Sequence, residues 1–146
     1  MKEGMTELVF ILDRSGSMFG LEKDTIGGFN SMIQKQKEEE GEAVVTTVLF
    51  DDRYELIHDR FPLSAVGELP RKEYFVRGST ALLDAVGKTI VKIQNVQEHL
   101  PEEARAEKVI TVIITDGLEN SSREYSREQI SQMITRQRAN GWEFLF

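Results

Sequence analysis

The chain has 146 residues, of which 40% are hydrophobic and 29% are charged, and its formal net charge at pH 7 is -7. This composition is typical of one soluble globular domain, and the acidic balance argues against binding to nucleic acid or to an anionic membrane. The absence of cysteine excludes disulfide bonds and thiolate-bound zinc.

Two features of the chain bear on its location. The N-terminal segment 1–7 carries acids, and the apolar run that follows it is too short for the core of a signal peptide. No segment reaches the roughly 20 consecutive apolar residues that a membrane-spanning helix needs. We therefore expect a cytoplasmic protein.

The apolar run at residues 8–12 leads directly into a set of oxygen-bearing side chains. An unbroken apolar run of this kind predicts a strand that is buried on both faces in the middle of a parallel sheet. Asp13, Ser15 and Ser17 follow at alternate positions, and Gly16 allows the backbone to turn between them. Open α/β sheets bind ligands at the carboxyl ends of their strands, and oxygen ligands suit a hard cation such as Mg²⁺, Mn²⁺ or Ca²⁺. The sequence therefore predicts a metal site at this point.

The next segment has the spacing of a helix. Apolar residues recur at helical intervals over 20–40, and Asp24 and Thr25 are the predicted capping residues. Gly27 and Gly28 lie inside this helix, where each costs roughly 1 kcal/mol relative to alanine. Close packing of the helix on the sheet and simple local weakness are both open as explanations of the two glycines.

A hairpin and an irregular loop come next. Residues 43–50 predict a second strand, and the acidic pair at 51–52 predicts a tight turn into an antiparallel edge strand over 53–58. On such an edge strand, His58 is expected to be a surface residue. Residues 61–75 have no clear period and predict a loop across the rim of the metal site.

Two further features supply oxygen ligands. Helical spacing predicts a helix that begins near Thr80 or Ala81, and on its own the hydroxyl of Ser79 or Thr80 would be interpreted as a helix cap. A second continuous apolar strand at 108–114 again ends in an aspartate followed by a glycine, and this aspartate is Asp116. Two buried parallel strands that each place a carboxylate at their carboxyl end indicate a shared site.

The C-terminal part predicts one more helix and the start of a strand. Ser126 is the predicted cap of a helix that ends at Gly141. Residues 142–146 then begin another strand, inside which the sequence stops. We expect the last strand and helix of the fold to be missing, and the open C-terminal edge to favour association.

These parts together resemble the metal-ion-dependent adhesion site of von Willebrand factor A domains. That site consists of a DxSxS motif after the first strand, a threonine before a later helix and an aspartate after the fourth strand. The matching residues here are Asp13, Ser15, Ser17, Thr80 and Asp116. The resemblance covers the chain from Leu8 to Phe146.

The resemblance implies a doubly wound, mostly parallel α/β sheet in the order 3-2-1-4-5-6, with an antiparallel third strand and helices on both faces. On this basis residues 1–146 form a single A domain of three layers, α/β/α, which is apparently truncated before its last strand and helix. The missing signal peptide places the chain nearer to the intracellular bacterial members than to secreted adhesins.

The resemblance also implies roles for the site residues. Ser15 and Ser17 would coordinate the metal directly, Thr80 directly or through water, and Asp13 and Asp116 largely through water. Neutral hydroxyls and waters compensate a divalent charge only partly, so the ion keeps an affinity for an anionic oxygen. An Asp or Glu of a partner protein would supply it. The expected function is therefore metal-dependent protein–protein interaction, with Mg²⁺ as the expected ion and no catalysis.

The alternative is a metal-dependent phosphatase or hydrolase that uses Asp13 as its nucleophile. Ser15 stands where aspartate-nucleophile phosphatases carry their second acid, and the chain contains no Walker loop or nucleophile elbow. An EF-hand is also disfavoured, because Met18 and Asp24 stand in place of its required glycine and glutamate. Capping of strand-to-helix turns would explain one aspartate, but it does not explain five coincident oxygen ligands.

Overall fold

The computed structural model describes residues 1–117 and 119–146 as a β-sheet with helices on both faces. The strands are β1 (Lys2–Asp13), β2 (Glu42–Phe50), β3 (Tyr54–Pro62), β4 (Ala106–Ile114) and β5 (Glu143–Leu145). The α-helices are α1 (Glu22–Lys37), α2 (Leu82–His99) and α3 (Arg127–Ala139), and short 3₁₀ helices lie at Gly16–Met18, Leu63–Ala65 and Glu102–Ala104. The predicted order of helices and strands is confirmed.

The strand order in the sheet is β3-β2-β1-β4-β5. β1 is parallel to both β2 and β4, β5 is parallel to β4, and only the edge strand β3 is antiparallel to its neighbour β2. The predicted doubly wound, mostly parallel sheet with one antiparallel edge strand is therefore confirmed. Leu12 near the end of β1 lies opposite Leu49 of β2 and Ile114 of β4, so the carboxyl ends of these three strands are level.

The central strand β1 buries side chains on both faces of the sheet, as its apolar run predicts. Phe10 and Leu12 belong to the core beneath α1, where Phe10 meets the ring of Phe29 edge to face at a centroid distance of 4.7 Å. Val9 and Ile11 belong to the core on the opposite face, beneath α2 and α3. Each fully buried side chain of this size stabilises the fold by about 1.5–3 kcal/mol.

The start of α1 differs from the prediction. The helix begins at Glu22, its cap position is Leu21, and no side chain caps it. Asp24 and Thr25 lie inside the first turn, so their assignment as capping residues is wrong. The hydroxyl of Thr25 donates a hydrogen bond to the Leu21 carbonyl instead, at 2.9 Å. Within a helical turn a threonine hydroxyl commonly bonds the carbonyl of the residue four positions earlier.

The two glycines of α1 do not mark a close approach. A Cβ atom added at Gly27 or at Gly28 would meet no atom within 4 Å, so close packing of the helix on the sheet does not explain them. Within the described residues, the helices are all too short or too polar to cross a bilayer.

The edge strand β3 is longer than predicted, and its His58 side chain is more buried than predicted. It continues to Pro62, where the sequence predicts a loop. His58 is not a surface residue: its ring is half-buried, its Nδ1 lies 2.7 Å from the hydroxyl oxygen of Thr47, and it stacks on Phe29 with ring centroids 6.3 Å apart. The pairing of β2 with β3 shifts register on both sides of Thr47, the residue opposite His58.

Candidate metal centre

Three loops meet at the carboxyl edge of the sheet: residues 13–17 after β1, residues 77–81 before α2, and residues 115–117 and 119–126 after β4. The first two are joined by a hydrogen bond from the Gly16 N–H to the Gly78 carbonyl at 3.0 Å. The second and third are joined at Thr80, whose carbonyl accepts from the N–H groups of Asn120 at 2.9 Å and Ser121 at 3.1 Å. Backbone hydrogen bonds therefore hold all three motif-bearing loops against one another.

Asp13 lies at the centre of this arrangement, and it is completely buried. Its Oδ1 accepts hydrogen bonds from the N–H of Ser15 at 2.8 Å and from the hydroxyl of Ser15 at 2.6 Å. Its Oδ2 accepts from the hydroxyl of Thr115 at 2.8 Å, which ties the ends of β1 and β4 together. The hydroxyl of Tyr74 donates to the Asp13 carbonyl, and burial raises the pKa of Tyr74 to about 12, so this hydroxyl keeps its proton at neutral pH.

The two serines of the motif point their hydroxyls at one another. The Oγ atoms of Ser15 and Ser17 are 2.9 Å apart. Because the single hydroxyl proton of Ser15 is donated to Asp13, Ser17 is the donor in this contact, and both oxygens keep a lone pair for a ligand. Adjacent ligands of an octahedral Mg²⁺ at about 2.1 Å from the ion lie about 3.0 Å apart. The serine pair therefore has the spacing of two neighbouring magnesium ligands.

Thr80 and Asp116 lie in the other two loops. Thr80 is buried, and its N–H donates to the side-chain oxygen of Asn120 at 2.8 Å. Asp116 is exposed and directly follows Thr115, whose hydroxyl oxygen accepts from the N–H of Gly117 at 3.1 Å. The structure thus brings Ser15 into direct contact with both Asp13 and Ser17, and hydrogen bonds fasten the loops of Thr80 and Asp116 to this motif.

The oxygen atoms of the site suit a hard cation that is bound by hydroxyl groups rather than by a cluster of carboxylates. Within residues 1–117 and 119–146, no group of three or more His, Cys, Asp or Glu side chains could hold a metal ion, so hydroxyls would have to supply ligands. The buried carboxylate of Asp13 takes its hydrogen bonds from the neutral donors Ser15 and Thr115. A nearby divalent cation would offset the cost of burying this charge.

Two acids that the sequence analysis did not single out position the third loop. The carboxylate of Asp84 accepts from the backbone N–H groups of three loop residues at 2.8–3.0 Å: Arg123, Glu124 and Tyr125. Burial alone would raise the pKa of Asp84, but these N–H groups and the charge of Lys88 lower it overall. Glu119 is arranged in the same way. Burial would raise its pKa, but hydrogen bonds from Ser122 and from the N–H groups of Leu83 and Ser121 lower it overall.

The second loop is held by a pair of arginines, which the sequence analysis also missed. The buried guanidinium of Arg14 forms an ion pair with Glu55 at 2.7 Å, and that of Arg77 forms one with Asp51 at 2.7 Å. Both guanidinium groups lie against the ring of Phe75, at 5.2 and 5.3 Å from its centroid. The hydrogen bond from Arg14 is the main cause of the lowered pKa of Glu55. No local sequence signal marks this contact, because it joins residues from three separate segments.

Gly78 completes this loop and requires glycine for two reasons. Its φ angle is +69°, a region that other residues adopt only with strain. A Cβ atom at this position would also lie 2.6 Å from the Oδ1 atom of Asp52. The tight approach of the Gly78 backbone to the β2–β3 turn therefore sets the path of the chain toward Thr80.

Comparison with known proteins gives structural neighbours only. Neither a protein-family model nor a curated protein sequence matches the chain. Solved structures do match. A mutant of the PilB minor pilin from Streptococcus sanguinis superposes with a TM-score of 0.63 at 18% sequence identity, covering 80% of this chain and 31% of the pilin. The von Willebrand factor type A protein from Catenulispora acidiphila superposes with a TM-score of 0.58 at 15% identity, covering 96% of this chain and 34% of that protein.

The chain has the von Willebrand factor A fold. The ArnB paralog VWA2 from Sulfolobus acidocaldarius agrees, with a TM-score of 0.54 at 19% identity over 88% of this chain and 31% of the paralog. In this A fold, the three loops that carry Asp13, Thr80 and Asp116 lie at one edge of the sheet. The chain spans about a third of the length of these three structures.

Proposed function

We propose that the chain is a metal-ion-dependent protein-interaction module, in which a divalent cation bridges the domain to an acidic side chain of a partner protein. Mg²⁺ is the expected ion, and Mn²⁺ or Ca²⁺ would suit the same oxygen ligands. The proposed direct ligands are Ser15, Ser17 and Thr80, and Asp13 and Asp116 complete the metal site largely through water. When bound, the ion would supply a positive centre with a coordination position open to a carboxylate of the partner.

The observation that carries the proposal is the serine pair beside the buried aspartate. Ser15 and Ser17 have the spacing of neighbouring ligands, and Asp13 fixes the hydroxyl of Ser15 in place. Because hydroxyls carry no charge, an ion that they hold keeps most of its attraction for an external anion. A carboxylate on a partner is the common protein group that satisfies this attraction.

The geometry of Asp13 favours interaction over hydrolysis. A nucleophilic carboxylate needs an oxygen that can reach a substrate, whereas Asp13 is buried and both of its oxygens accept hydrogen bonds. We therefore propose a binding module rather than the phosphatase or hydrolase. A cytoplasmic location and an intracellular bacterial type stay predictions of the sequence.

Isothermal titration calorimetry with Mg²⁺ and Mn²⁺ tests the metal site. Ser17→Ala is the informative variant, because Ser17 is exposed and its loss removes one proposed ligand with little effect on packing. We expect metal binding by the wild type and a loss of affinity of about tenfold or more in Ser17→Ala, comparable to the loss of other metal-site interactions.

Ser131→Ala is the matched control, since it removes an exposed serine hydroxyl from α3, away from the three loops. It should bind the metal as the wild type does. Equal heats for the wild type and Ser17→Ala would contradict the proposed ligand set, and the absence of binding heat in the wild type would contradict the metal site itself.

A further inference from the structure

An open groove lies next to the serine motif, between the start of α1 and the loop before α2. Its volume is about 550 Å³, and we call it the Phe19–Phe75 groove after two aromatic residues that line it. Phe19 is two residues beyond Ser17, so their Cα atoms are at most about 7 Å apart. On the other side, Tyr74 lines the groove and contacts the Asp13 carbonyl through its hydroxyl. The groove therefore lies close to the proposed metal centre.

The two phenylalanines of the groove are exposed, and contacts hold the backbone of Phe19 and the ring of Phe75. Phe19 is 79% exposed and Phe75 is 44% exposed. The N–H of Phe19 donates to the Gly16 carbonyl at 3.1 Å, and the ring of Phe75 is held by the guanidinium groups of Arg14 and Arg77. The ring of Phe75 is already ordered by these contacts and therefore loses little entropy on binding, and the fixed backbone of Phe19 keeps its ring beside the groove, so both can serve as contact points for a partner.

The charge around the groove differs from that of the whole chain. The chain carries a formal net charge of -7, yet Lys23 and Arg71 both line the groove. Within residues 1–117 and 119–146, neither of these two cations has an ion-pair partner. Glu22 also lines the groove, but its carboxylate accepts a hydrogen bond from the Gly20 N–H at 2.6 Å. Unpaired cations beside exposed rings suit an acidic segment that carries an apolar side chain.

We propose that the Phe19–Phe75 groove binds the part of the partner protein that flanks its metal-binding carboxylate, and that this segment carries an aromatic or large aliphatic residue together with further acids. This inference rests on the proposed function. The carboxylate supplies affinity for the metal, which any acidic residue can do, and the groove selects among acidic segments. An apolar residue two or three positions from the carboxylate would reach the groove, because such a separation spans about 7–10 Å.

Labelled synthetic peptides test the inference by fluorescence anisotropy in Mg²⁺ and in chelator. One peptide carries a single Glu in a Gly/Ser background, and the second adds Phe two or three residues away. A third also adds flanking Asp residues. With wild-type protein in Mg²⁺, we expect the Phe peptide to bind about tenfold more tightly than the Glu peptide, because burial of a phenyl ring contributes at least this much. Flanking acids should strengthen binding further, and less so at high salt.

The variants separate the groove from the metal. Phe19→Ser should abolish the preference for the Phe peptide, and Lys23→Glu with Arg71→Glu should abolish the gain from flanking acids. Phe19→Ser should leave Mg²⁺ binding in calorimetry unchanged, and the two charge reversals, which replace positive by negative charge near the ion, should not weaken it. Phe61→Ser is the control, since Phe61 is 41% exposed on β3, toward the opposite end of the sheet, and it should keep both preferences.

The outcomes distinguish the groove from the proposed function. Equal Mg²⁺-dependent binding of the Glu and Phe peptides by the wild type would overturn the groove and leave metal bridging intact. Binding that is the same in Mg²⁺ and in chelator would contradict metal bridging itself. Phe19-dependent binding to phosphatidylserine vesicles, without any preference among the peptides, would assign the groove to a membrane surface and overturn the inference.

Discussion

Glycine at position 87 of α2 is required by an aromatic ring. A Cβ atom there would lie 2.6–2.7 Å from three ring atoms of Tyr125, including Cγ, the ring atom that is bonded to Cβ. Tyr125 is therefore able to lie directly on the helix backbone, and it ends the loop that Asp84 binds. A small residue on a helix thus determines how closely a loop of the candidate metal centre can approach.

Replacement of this glycine by alanine should destabilise the protein, against the usual trend. Alanine is better than glycine in a helix by about 1 kcal/mol, but displacement of a packed ring costs about 1–3 kcal/mol. We expect Gly87→Ala to lower the free energy of unfolding by about 1 kcal/mol, and Gly27→Ala to raise it by up to about 1 kcal/mol, because an added Cβ at Gly27 meets no atom within 4 Å. Urea unfolding of both variants measures whether each substitution lowers or raises the free energy of unfolding. Stabilisation by both substitutions would show that the Tyr125 ring does not depend on this contact.

The sequence pattern alone does not tell which of these glycines contacts another part of the chain, because Gly27 and Gly87 both lie in segments with the apolar spacing of a helix. The same limit applies to Glu7, which directly precedes the predicted apolar run and which no sequence pattern marks as buried. In the structure Glu7 is fully buried, and the guanidinium of Arg60 donates to both of its carboxylate oxygens at 3.0–3.1 Å. Arg60 has a φ of +53°, a conformation that residue type does not predict. Such details depend on tertiary contacts and not on local preference.

At the scale of elements, the two helix starts of the C-terminal half show what is predictable. The cap of α3 is local: the Ser126 hydroxyl oxygen accepts from the Gln129 N–H, and the Gln129 side-chain oxygen accepts from the Ser126 N–H, so the predicted cap is confirmed. At the start of α2, a free backbone N–H group finds its hydrogen-bond acceptor in a residue that is distant in the sequence. The N–H of Leu83 donates to Glu119 at 3.1 Å, and no side chain occupies a capping role at Ala81. The prediction that a hydroxyl before α2 is its cap is therefore not confirmed, since the acceptor comes from 36 residues further along the chain.

The acids at the start of α2 should make the stability of this region depend on pH. The pKa of Asp84 is lowered from its ordinary value of 3.8, so its contribution to stability is fully present above that value and is lost as the pH falls through the lower folded pKa. Asp84→Asn should lower the free energy of unfolding at pH 7 by about 1–2 kcal/mol, because hydrogen bonds to a charged group are replaced by weaker ones. The difference from the wild type should shrink below pH 3.8.

Asp24→Asn is the control for this prediction. Asp24 occupies the third residue of α1 as Asp84 does of α2, so both feel the positive end of a helix dipole. Among the described residues, no loop N–H donates to Asp24, so its replacement should have a small effect at every pH. Denaturant unfolding from pH 3 to pH 7 measures both variants, and a pH-independent loss in Asp84→Asn would show that the carboxylate charge is not what binds the loop.

At the scale of the whole molecule, the sheet was predictable because its determinants are regular. Continuous apolar runs identify β1 and β4 as buried parallel strands, and parallel strands bring their carboxyl ends to one edge, so the positions of Asp13 and Asp116 follow from pattern alone. The supports of the candidate site do not follow, because Asp51, Glu55 and Tyr74 reach it from other segments. Association through the β5 edge, where Leu145 is 51% exposed, stays a prediction.

The metal should stabilise the whole fold, since the residues of its proposed site come from three loops that only the folded chain brings together. Ser15 and Asp116 are far apart in the sequence, so the unfolded chain has no comparable site. Ligand that binds only the folded state at 100 times its dissociation constant stabilises it by about 2.7 kcal/mol, which corresponds to a rise in Tm of about 5–10 °C for a domain of this size. Differential scanning calorimetry in Mg²⁺ and in chelator should show this rise for the wild type and for Ser131→Ala, and a much smaller one for Ser17→Ala at the same Mg²⁺ concentration. An equal rise in all three proteins would place the ion elsewhere on the chain, because a site that includes the Ser17 hydroxyl cannot stabilise the fold equally without it.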